Sequence, residues 1–415
     1  MTVSAAVRWP LIVRTPKAPL RATVARHIFE RAVGVIPVRA TLPDGRRIGG
    51  GDADAPEFQI VRPEAFFARL GRDTKIGVSE AYMDGDWKAA PGTDLADLLA
   101  PFAANLTSLV PRPLQRLRGV VDRRIPPQHE NSIEGSRDNV RAHYDLSNDL
   151  FAAFLDPTLS YSSAWFDESE PIATATDLEA AQLRKTDGVL DYAGVAAGTR
   201  VLEIGTGWGT LAIRAAQRGA HVTTVTISRE QLALATERVA VAGCADRVDL
   251  RLQDYREVSG SYDAIVSVEM VEAVGEAYWP TYFATLDRLL APGGKVGLQT
   301  ITMAHERLLA TRRSFGWIQK HIFPGGLIPS LRAVEATLAA HTTLRVAQRR
   351  ELGPHYARTL QLWRERFHQE WPKLHALGFD ETFRRMWEFY LAYCEAGFRA
   401  GYLGVSQLQL TRRPA

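Results

Sequence analysis

Residues 201–210 read VLEIGTGWGT, an apolar run typical of a buried strand followed by a glycine-rich turn. Gly205, Gly207 and Gly209 alternate with other residues in this turn, and an apolar helical pattern follows. In a doubly wound sheet, such a turn lies at the carboxyl end of a strand and lets a ligand approach the backbone. The G-x-G-x-G spacing differs from the dinucleotide pattern G-x-G-x-x-G, which argues against a dehydrogenase.

Strand and helix patterns alternate on both sides of this turn. The strand-like segments are RVLEIGTG, HVTTVTIS, VDLRLQDY, YDAIVSVE and KVGLQTIT, and VSQLQLTR near the end of the chain predicts a last strand. This alternation predicts an α/β fold with a doubly wound, mostly parallel sheet. Residues 304–338 and 357–399 predict a long helical insertion rich in aromatic residues, which at helical spacing are usually core.

The N-terminal part of the chain has a different pattern. VRATLPDGRRI predicts a hairpin around Asp44 and Gly45, FQIV a further short strand, and PEAFFARLG a helix that ends at Gly71. Residues 108–136 are rich in Pro and Arg and resemble a linker. We therefore expect a small α+β accessory domain over residues 1–125 and a larger domain over residues 126–415.

Charge is balanced overall but uneven along the chain. The 415 residues include 50 Lys and Arg against 47 Asp and Glu, which is too small an excess to indicate a nucleic-acid partner by itself. Between Arg8 and Arg39, however, the basic residues are opposed only by Glu30, and a second basic run extends from Arg112 to Arg124. Such patches attract phosphate-rich surfaces, although a solvated face is an equally good interpretation.

Cysteine content and hydropathy constrain the location of the protein. Cys244 and Cys394 are the only cysteines, so neither a disulfide framework nor a zinc site is expected, and a reducing cytoplasm fits. The first residues make a poor signal peptide, and apolar runs are too short for a transmembrane helix. We expect a cytoplasmic protein that meets a membrane, if at all, as a peripheral protein on its inner face.

The turn, with Glu203 two residues ahead of it, forms an E-x-G-x-G pattern that resembles the first motif of class I S-adenosylmethionine-dependent methyltransferases. The resemblance implies S-adenosylmethionine as the cofactor. It also implies a set of cofactor-binding residues in the segments YSSAW, VLEIGTGWG, TISREQ and QDYRE: Tyr161, Ser162, Glu203, Gly205, Gly207, Gly209, Thr226, Ser228, Gln231, Asp254 and Tyr255. Thr226 stands where many such enzymes have an acid for the ribose, while Asp254 and Tyr255 suit an adenine.

Several further segments resemble the cyclopropane-fatty-acyl-phospholipid synthase family. HYDLSNDLF, FLDPTLSYSSAWF, SVEMVEAVG, IFPGG and LAYCEAGFR match in order and spacing over residues 139–400, and GVSEAYMDGDW at 77–87 resembles the accessory domain of the long bacterial synthases. The family implies an unsaturated acyl chain of a membrane phospholipid as substrate, held in a pocket that the helical insertion covers. Methyl transfer to such an alkene leaves a carbocation, which aromatic faces stabilise and from which a base must remove a proton.

In the family, that base is a bicarbonate ion held by Cys, Glu, His, Tyr and the backbone of an Ile. The matching catalytic residues of this chain are Ser163, Glu272, Gln299, Tyr356 and Ile301. Ser163 replaces the Cys and Gln299 replaces the His, and Gln cannot relay a proton. Bicarbonate is therefore one alternative, and two further catalytic candidates are Glu134, as an internal base, and Cys394. Glu269 is interpreted as a local structural partner.

Ser163 and Gln299, the two positions that differ from the family, favour a product other than a cyclopropane. A hydride shift before proton loss gives an exocyclic methylene group, as in actinobacterial relatives that make 10-methylene and 10-methyl stearic acid, and the sequence resembles them in its S-V-E-M form. Cyclopropane formation remains the alternative. A methylene product implies a separate reductase that saturates it. We also expect a homo-oligomer and no nucleic-acid partner. A nucleic-acid methyltransferase and a lipid-binding module without activity are the rival classes.

Overall fold

The structure is a computed structural model that describes residues 19–105, 135, 147–169 and 171–414. The chain divides into two compact units. Of the described residues, the first unit holds residues 19–105, Phe315–Ile322 and Trp363–Tyr402, and the second unit holds the others. The first unit thus combines the N-terminal part with two later segments. The sequence-based division at residue 125 stays a prediction.

The first unit contains a four-stranded sheet in the order β2-β1-β3-β4. Its strands are β1 (Arg39–Thr41), β2 (Arg47–Ile48), β3 (Glu57–Ile60) and β4 (Trp87–Ala89). β1 pairs antiparallel with β2 around the predicted Asp44-Gly45 turn, and parallel with β3. The predicted hairpin, the third strand and the helix Pro63–Arg72 are confirmed.

Aromatic side chains form much of the core of the first unit, and helical spacing predicted this for those of the two later segments. Trp87 is fully buried, and its ring centroid lies 4.6 Å from that of Phe58. Phe389 contacts Trp317 at a centroid distance of 5.1 Å, whereas Tyr393 is exposed. The described helices of this unit are Pro19–Val33, Pro63–Arg72, Gly77–Met83, Leu95–Asn105, Trp317–His321, the Trp363 end of Gly353–Ala376, and Glu381–Arg399.

A buried ion pair joins two of these helices, and it predicts a large stability effect. Arg364 Nε donates to Glu395 Oε2 at 3.0 Å, and the Glu395 side chain has no exposed area. Arg364→Met would leave Glu395 paired only with the partly exposed Arg399 and would also break the Arg364 pair with Asp94, so we expect the free energy of unfolding to fall by about 3 kcal/mol. Arg384→Met is the matched control, because it breaks a more exposed pair with Glu381 and should cost about 0.5 kcal/mol. Urea denaturation compares the two variants, and equal losses would contradict this account.

The second unit contains a seven-stranded sheet in the order β10-β11-β9-β8-β5-β6-β7. Its strands are β5 (Arg200–Ile204), β6 (His221–Thr226), β7 (Val248–Leu252), β8 (Tyr262–Val268), β9 (Leu290–Met303), β10 (Leu344–Glu351) and β11 (Leu403–Arg412). β5 to β9 pair in parallel, and β11 adds antiparallel pairs with β9 and β10. The predicted α/β fold with a mostly parallel sheet is confirmed, including the last strand.

Helices cover both faces of this sheet. Val201 and Leu202, consecutive residues of β5, belong to two separate apolar clusters because successive strand residues point to opposite faces. The described helices of this unit are Asn148–Phe154, Leu178–Ala193, Thr210–Gln217, Arg229–Val241, Val271–Val274, Trp279–Leu289, His305–Thr311, Leu331–His341 and the start of Gly353–Ala376. No helix among the described residues is both long and apolar enough to span a membrane.

The strand order places a crevice where ligands usually bind. From β5 the chain continues to β6 and β7 on one side, and then crosses to β8 on the other side. The helices that follow β5 and β8 therefore diverge, and the carboxyl ends of these strands border the gap between them. The two motifs VLEIGTGWGT and SVEMVEAVG both lie at this point.

Candidate functional site

The glycine turn after β5 has a backbone that only glycine adopts without strain. Gly205, Gly207 and Gly209 have φ angles of 98°, 52° and 90°. A Cβ atom at Gly205 would lie 2.9 Å from the side chain of Met270, whereas one at Gly207 would meet no atom of the described residues within 4 Å. The turn therefore fits tightly against the segment after β8 on one side and borders open space on the other, as a ligand-binding turn requires.

Glu203 lies beneath this turn, and its side chain is almost completely buried. Thr224 Oγ1 donates a hydrogen bond to Glu203 Oε2 at 2.6 Å. Burial raises the pKa of Glu203 to about 8, although this hydrogen bond and the charge of Lys185 oppose the shift. At neutral pH we therefore expect a protonated carboxyl group beside the turn.

Three predicted cofactor residues form one hydrogen-bonded turn after β6. Thr226 Oγ1 donates to Gln231 Oε1 at 3.0 Å and accepts a hydrogen bond from the Ser228 backbone N–H. Ser228 Oγ in turn caps the helix Arg229–Val241 by accepting from the Gln231 N–H. These bonds fix the turn, and contact of its residues with a cofactor stays a prediction.

The segment after β7 holds the residues predicted to bind an adenine. Asp254 is buried, and its carboxylate pairs with Arg256 at 2.6 Å. The ring of Tyr255 packs edge to face against Tyr282 at 5.4 Å, and burial raises the pKa of Tyr255 to about 12. Asp254 is thus held in one orientation by its neighbour, and the adenine contact stays a prediction.

The segment Tyr161–Ser163 precedes the helix Leu178–Ala193 and contacts a buried lysine that the sequence interpretation missed. Lys185 Nζ donates to Ser162 Oγ at 2.6 Å, and burial lowers the pKa of Lys185 to about 8. The Tyr161 ring lies 5.2 Å from that of Phe151. The available signal was the position of Lys185 on the apolar face of its helix, four residues after Ala181.

Glu269 lies at the centre of the residues predicted to hold the base, which the sequence interpretation did not foresee. Glu269 Oε1 accepts hydrogen bonds from the Ser163 backbone N–H and from Gln299 Nε2, both at 2.9 Å. Glu269 Oε2 accepts from the Tyr356 hydroxyl at 3.0 Å. The interpretation of Glu269 as a local structural partner did not include these contacts with three predicted catalytic residues. The position of Glu269 directly after a buried strand was the signal that could have shown this.

Glu272 lies beside Glu269, one turn further along the chain. The Ile301 backbone N–H donates to Glu272 Oε1, and Thr300 Oγ1 donates to the same atom at 3.0 Å. Glu272 Oε2 is buried without a hydrogen-bond partner among the described residues. Burial raises the pKa of Glu272 to about 8, and the neighbouring Glu269 adds to this shift. Burial also raises the pKa of Glu269, while its hydrogen bonds with Ser163, Gln299 and Tyr356 and the charge of Lys185 oppose that shift.

A second glutamine fixes the orientation of Gln299. Gln407 on β11 lies opposite Gln299 on β9, and Gln407 Nε2 donates to Gln299 Oε1 at 3.1 Å. The oxygen of Gln407 accepts from Arg350 at 2.9 Å. Because the oxygen of Gln299 is held on this side, its amide nitrogen points towards Glu269.

Of the two other catalytic candidates, Cys394 is described by the structure and Glu134 is not. Cys394 belongs to the first unit, and desolvation raises the pKa of its half-buried thiol to about 12, which disfavours a reactive thiolate. Glu134 lies outside the described residues. The Ser163 hydroxyl donates to the Ala164 carbonyl at 3.0 Å, so the Ser163 contact with Glu269 comes from the backbone.

Sequence and structure comparisons relate this chain to known proteins. The family described as mycolic acid cyclopropane synthetase matches residues 131–408. A tuberculostearic acid methyltransferase of Mycobacterium tuberculosis is 50% identical over 419 residues, covering 99% of this chain and 97% of the relative. The cyclopropane-fatty-acyl-phospholipid synthase of Escherichia coli is 34% identical, covering 87% and 89%. A solved mycolic acid cyclopropane synthase complexed with SAH and CTAB has a TM-score of 0.60 at 32% identity, covering 66% and 97%.

Proposed function

We infer the function from the family to which this chain belongs, the mycolic acid cyclopropane synthetase family. The chain is an S-adenosylmethionine-dependent methyltransferase that acts on unsaturated fatty acyl chains. It transfers the methyl group to the double bond of a phospholipid acyl chain and releases a 10-methylene product, the precursor of a methyl branch. The observation that carries this proposal is the 50% identity, over almost the full length of both chains, with a tuberculostearic acid methyltransferase.

The residues at the carboxyl ends of β5, β6 and β7 fit S-adenosylmethionine. Gly207 leaves room for a ligand next to the backbone, and the turn formed by Thr226, Ser228 and Gln231 borders the same sheet edge. Asp254 and Tyr255, which follow β7, complete the proposed cofactor site. When bound, S-adenosylmethionine supplies the methyl group.

The rest of the site must align a weak nucleophile and control a carbocation. An alkene reacts only when it is held close to the methyl group and away from water. Methylation leaves a cation on the acyl chain, and a negative carboxylate close by stabilises this charge. Glu269, fixed by Ser163, Gln299 and Tyr356, is such a group.

Cyclopropane formation is the second candidate, because the chain is also 34% identical to a cyclopropane-fatty-acyl-phospholipid synthase. Two features favour the methylene product over it. Gln299 cannot relay a proton as a histidine would, and the identity to the tuberculostearic acid methyltransferase is higher.

We also propose that the protein is a peripheral membrane protein on the cytoplasmic face. The helix Pro19–Val33 exposes 84% of Leu20 and 59% of Val24 and carries several arginines, a combination suited to an anionic lipid surface. A separate reductase would saturate the methylene group, since the proposed reaction ends at an alkene. We further propose that the protein forms a homo-oligomer.

Methyl incorporation into defined vesicles tests the function. Purified protein is incubated with S-adenosylmethionine carrying a labelled methyl group and vesicles of dioleoylphosphatidylglycerol. We expect label in the fatty acids of these vesicles and none with dimyristoylphosphatidylglycerol, which is fluid but has no double bond. Label in neither lipid would contradict the proposed function, and label in added RNA or DNA would favour a nucleic-acid methyltransferase.

A further inference from the structure

The carboxylate of Glu269 uses the same hydrogen-bond donors that a bound anion would need. Ser163, Gln299 and Tyr356, three of the five residues matched to the bicarbonate site, donate to its two oxygens. The fourth donor, the Ile301 N–H, is taken by Glu272. Bicarbonate therefore does not fit this site, because the chain places its own carboxylates against these donors.

The backbone of Glu269 indicates that this placement is enforced. Its φ angle is 53°, in the left-handed region that a residue with a side chain rarely adopts. The Glu269 N–H donates to the Gln299 carbonyl at 2.7 Å, which continues the pairing of β8 with β9 beyond the end of β8. A glycine would satisfy this backbone without strain. Strain of this kind persists where the surrounding structure holds it, and it is common at functional sites.

We propose that the Glu269 carboxylate is the internal base of this enzyme and takes the place of bicarbonate. This inference rests on the proposed function, because a base is required only once the acyl cation has formed. Hydrogen bonds hold both oxygens of the Glu269 carboxylate. Unlike bicarbonate, this proton acceptor does not have to bind from solution before each turnover. Glu272 has a positioning role, since it occupies the Ile301 N–H and keeps a second anion out.

The proton balance of the step is simple. A hydride first shifts from the methyl-bearing carbon to the neighbouring cationic carbon, which moves the positive charge to the methyl-bearing carbon. A C–H bond of the added methyl group then breaks, its electron pair forms the exocyclic C=C bond, and the positive charge on the acyl chain is lost. The proton passes to the Glu269 carboxylate, which becomes a carboxylic acid. After the product leaves, Glu269 releases this proton to water, so that the net products are the methylene lipid, the demethylated cofactor and one proton.

Two variants of Glu269 test the proposal in buffer depleted of carbon dioxide and in buffer with added bicarbonate. Wild type should have the same rate in both. Glu269→Gln keeps the size of the side chain but cannot accept the proton, so its rate should fall by about 100-fold to 10,000-fold in both buffers. Glu269→Gly removes the carboxylate and the strain of the positive φ angle. Because the anion site is then open, added bicarbonate should raise the rate of this variant by about tenfold or more. The control Glu335→Gln removes an exposed carboxylate of the same unit and should match wild type.

A binding measurement keeps the test independent of activity. Carbon-13 NMR of labelled bicarbonate should detect binding to Glu269→Gly and none to wild type. Binding to wild type, or a wild-type rate that depends on bicarbonate, would overturn the proposal. If wild type methylates no unsaturated lipid, the proposed function fails, and the binding result still decides whether Glu269 occupies the anion site.

Discussion

Gly205→Val is expected to weaken S-adenosylmethionine binding by about 100-fold, which corresponds to about 3 kcal/mol. Two costs combine at this position. The backbone has a φ angle of 98°, which is unfavourable for a β-branched residue, and the new Cβ would lie 2.9 Å from Met270 Cγ and Sδ. The glycine turn, which belongs to the proposed cofactor site, must therefore move. Isothermal titration calorimetry measures the change in Kd.

Gly198→Ala is the matched control for this variant. Gly198 also has a positive φ angle, of 79°, but a Cβ atom there would meet no described atom within 4 Å. It should therefore lose some stability while keeping the Kd of wild type, because it lies before β5 rather than after it. If Gly205→Val folds and binds S-adenosylmethionine as wild type does, the glycine turn is not the cofactor site.

Glu203→Gln is expected to change how stability depends on pH. The folded protein keeps this carboxyl protonated up to about pH 8, whereas the unfolded chain releases the proton near its ordinary pKa of 4.5. The folded state thus binds the additional proton between these limits, and wild type loses about 1.4 kcal/mol of unfolding free energy per pH unit through this group. Glutamine is neutral throughout, so the stability of the variant relative to wild type should rise by about 4 kcal/mol from pH 5 to pH 8.

Urea denaturation of the cofactor-free protein at several pH values measures this difference. Glu335→Gln, which removes an exposed carboxylate, should give a curve parallel to that of wild type. A constant difference between Glu203→Gln and wild type across this range would mean that Glu203 is ionised in the folded protein. The interpretation of a protonated carboxyl beside the glycine turn would then be wrong.

The fold could be predicted because its signals are local. The apolar runs that form β5 and β8 are bounded by polar turns. The glycines at 205, 207 and 209 indicated a turn with positive φ angles, and the structure has such a turn. The aromatic spacing around Trp363 and Trp387 likewise predicted buried helices, and both side chains are fully buried. Each of these inferences depends only on neighbours within a few residues.

The centre of the candidate site could not be predicted because it depends on distant pairings. Gln299 is oriented by Gln407, 108 residues away, and this contact exists only in the register that β9 and β11 adopt. The role of Glu269 depends on a positive φ angle that nothing in the amino-acid type favours. The motifs indicated Glu272, whereas the contacts of Glu269 with Ser163, Gln299 and Tyr356 became visible only in the structure.

One measurement tests most directly the claim that this chain carries its own base and directs the acyl cation to a methylene product. Wild-type protein is incubated with S-adenosylmethionine and dioleoylphosphatidylglycerol vesicles in bicarbonate-free buffer, and the released fatty acids are examined by proton NMR. We expect vinylidene proton signals that form at a rate unchanged by added bicarbonate. Cyclopropane ring protons, or a product that forms only after bicarbonate is added, would contradict it.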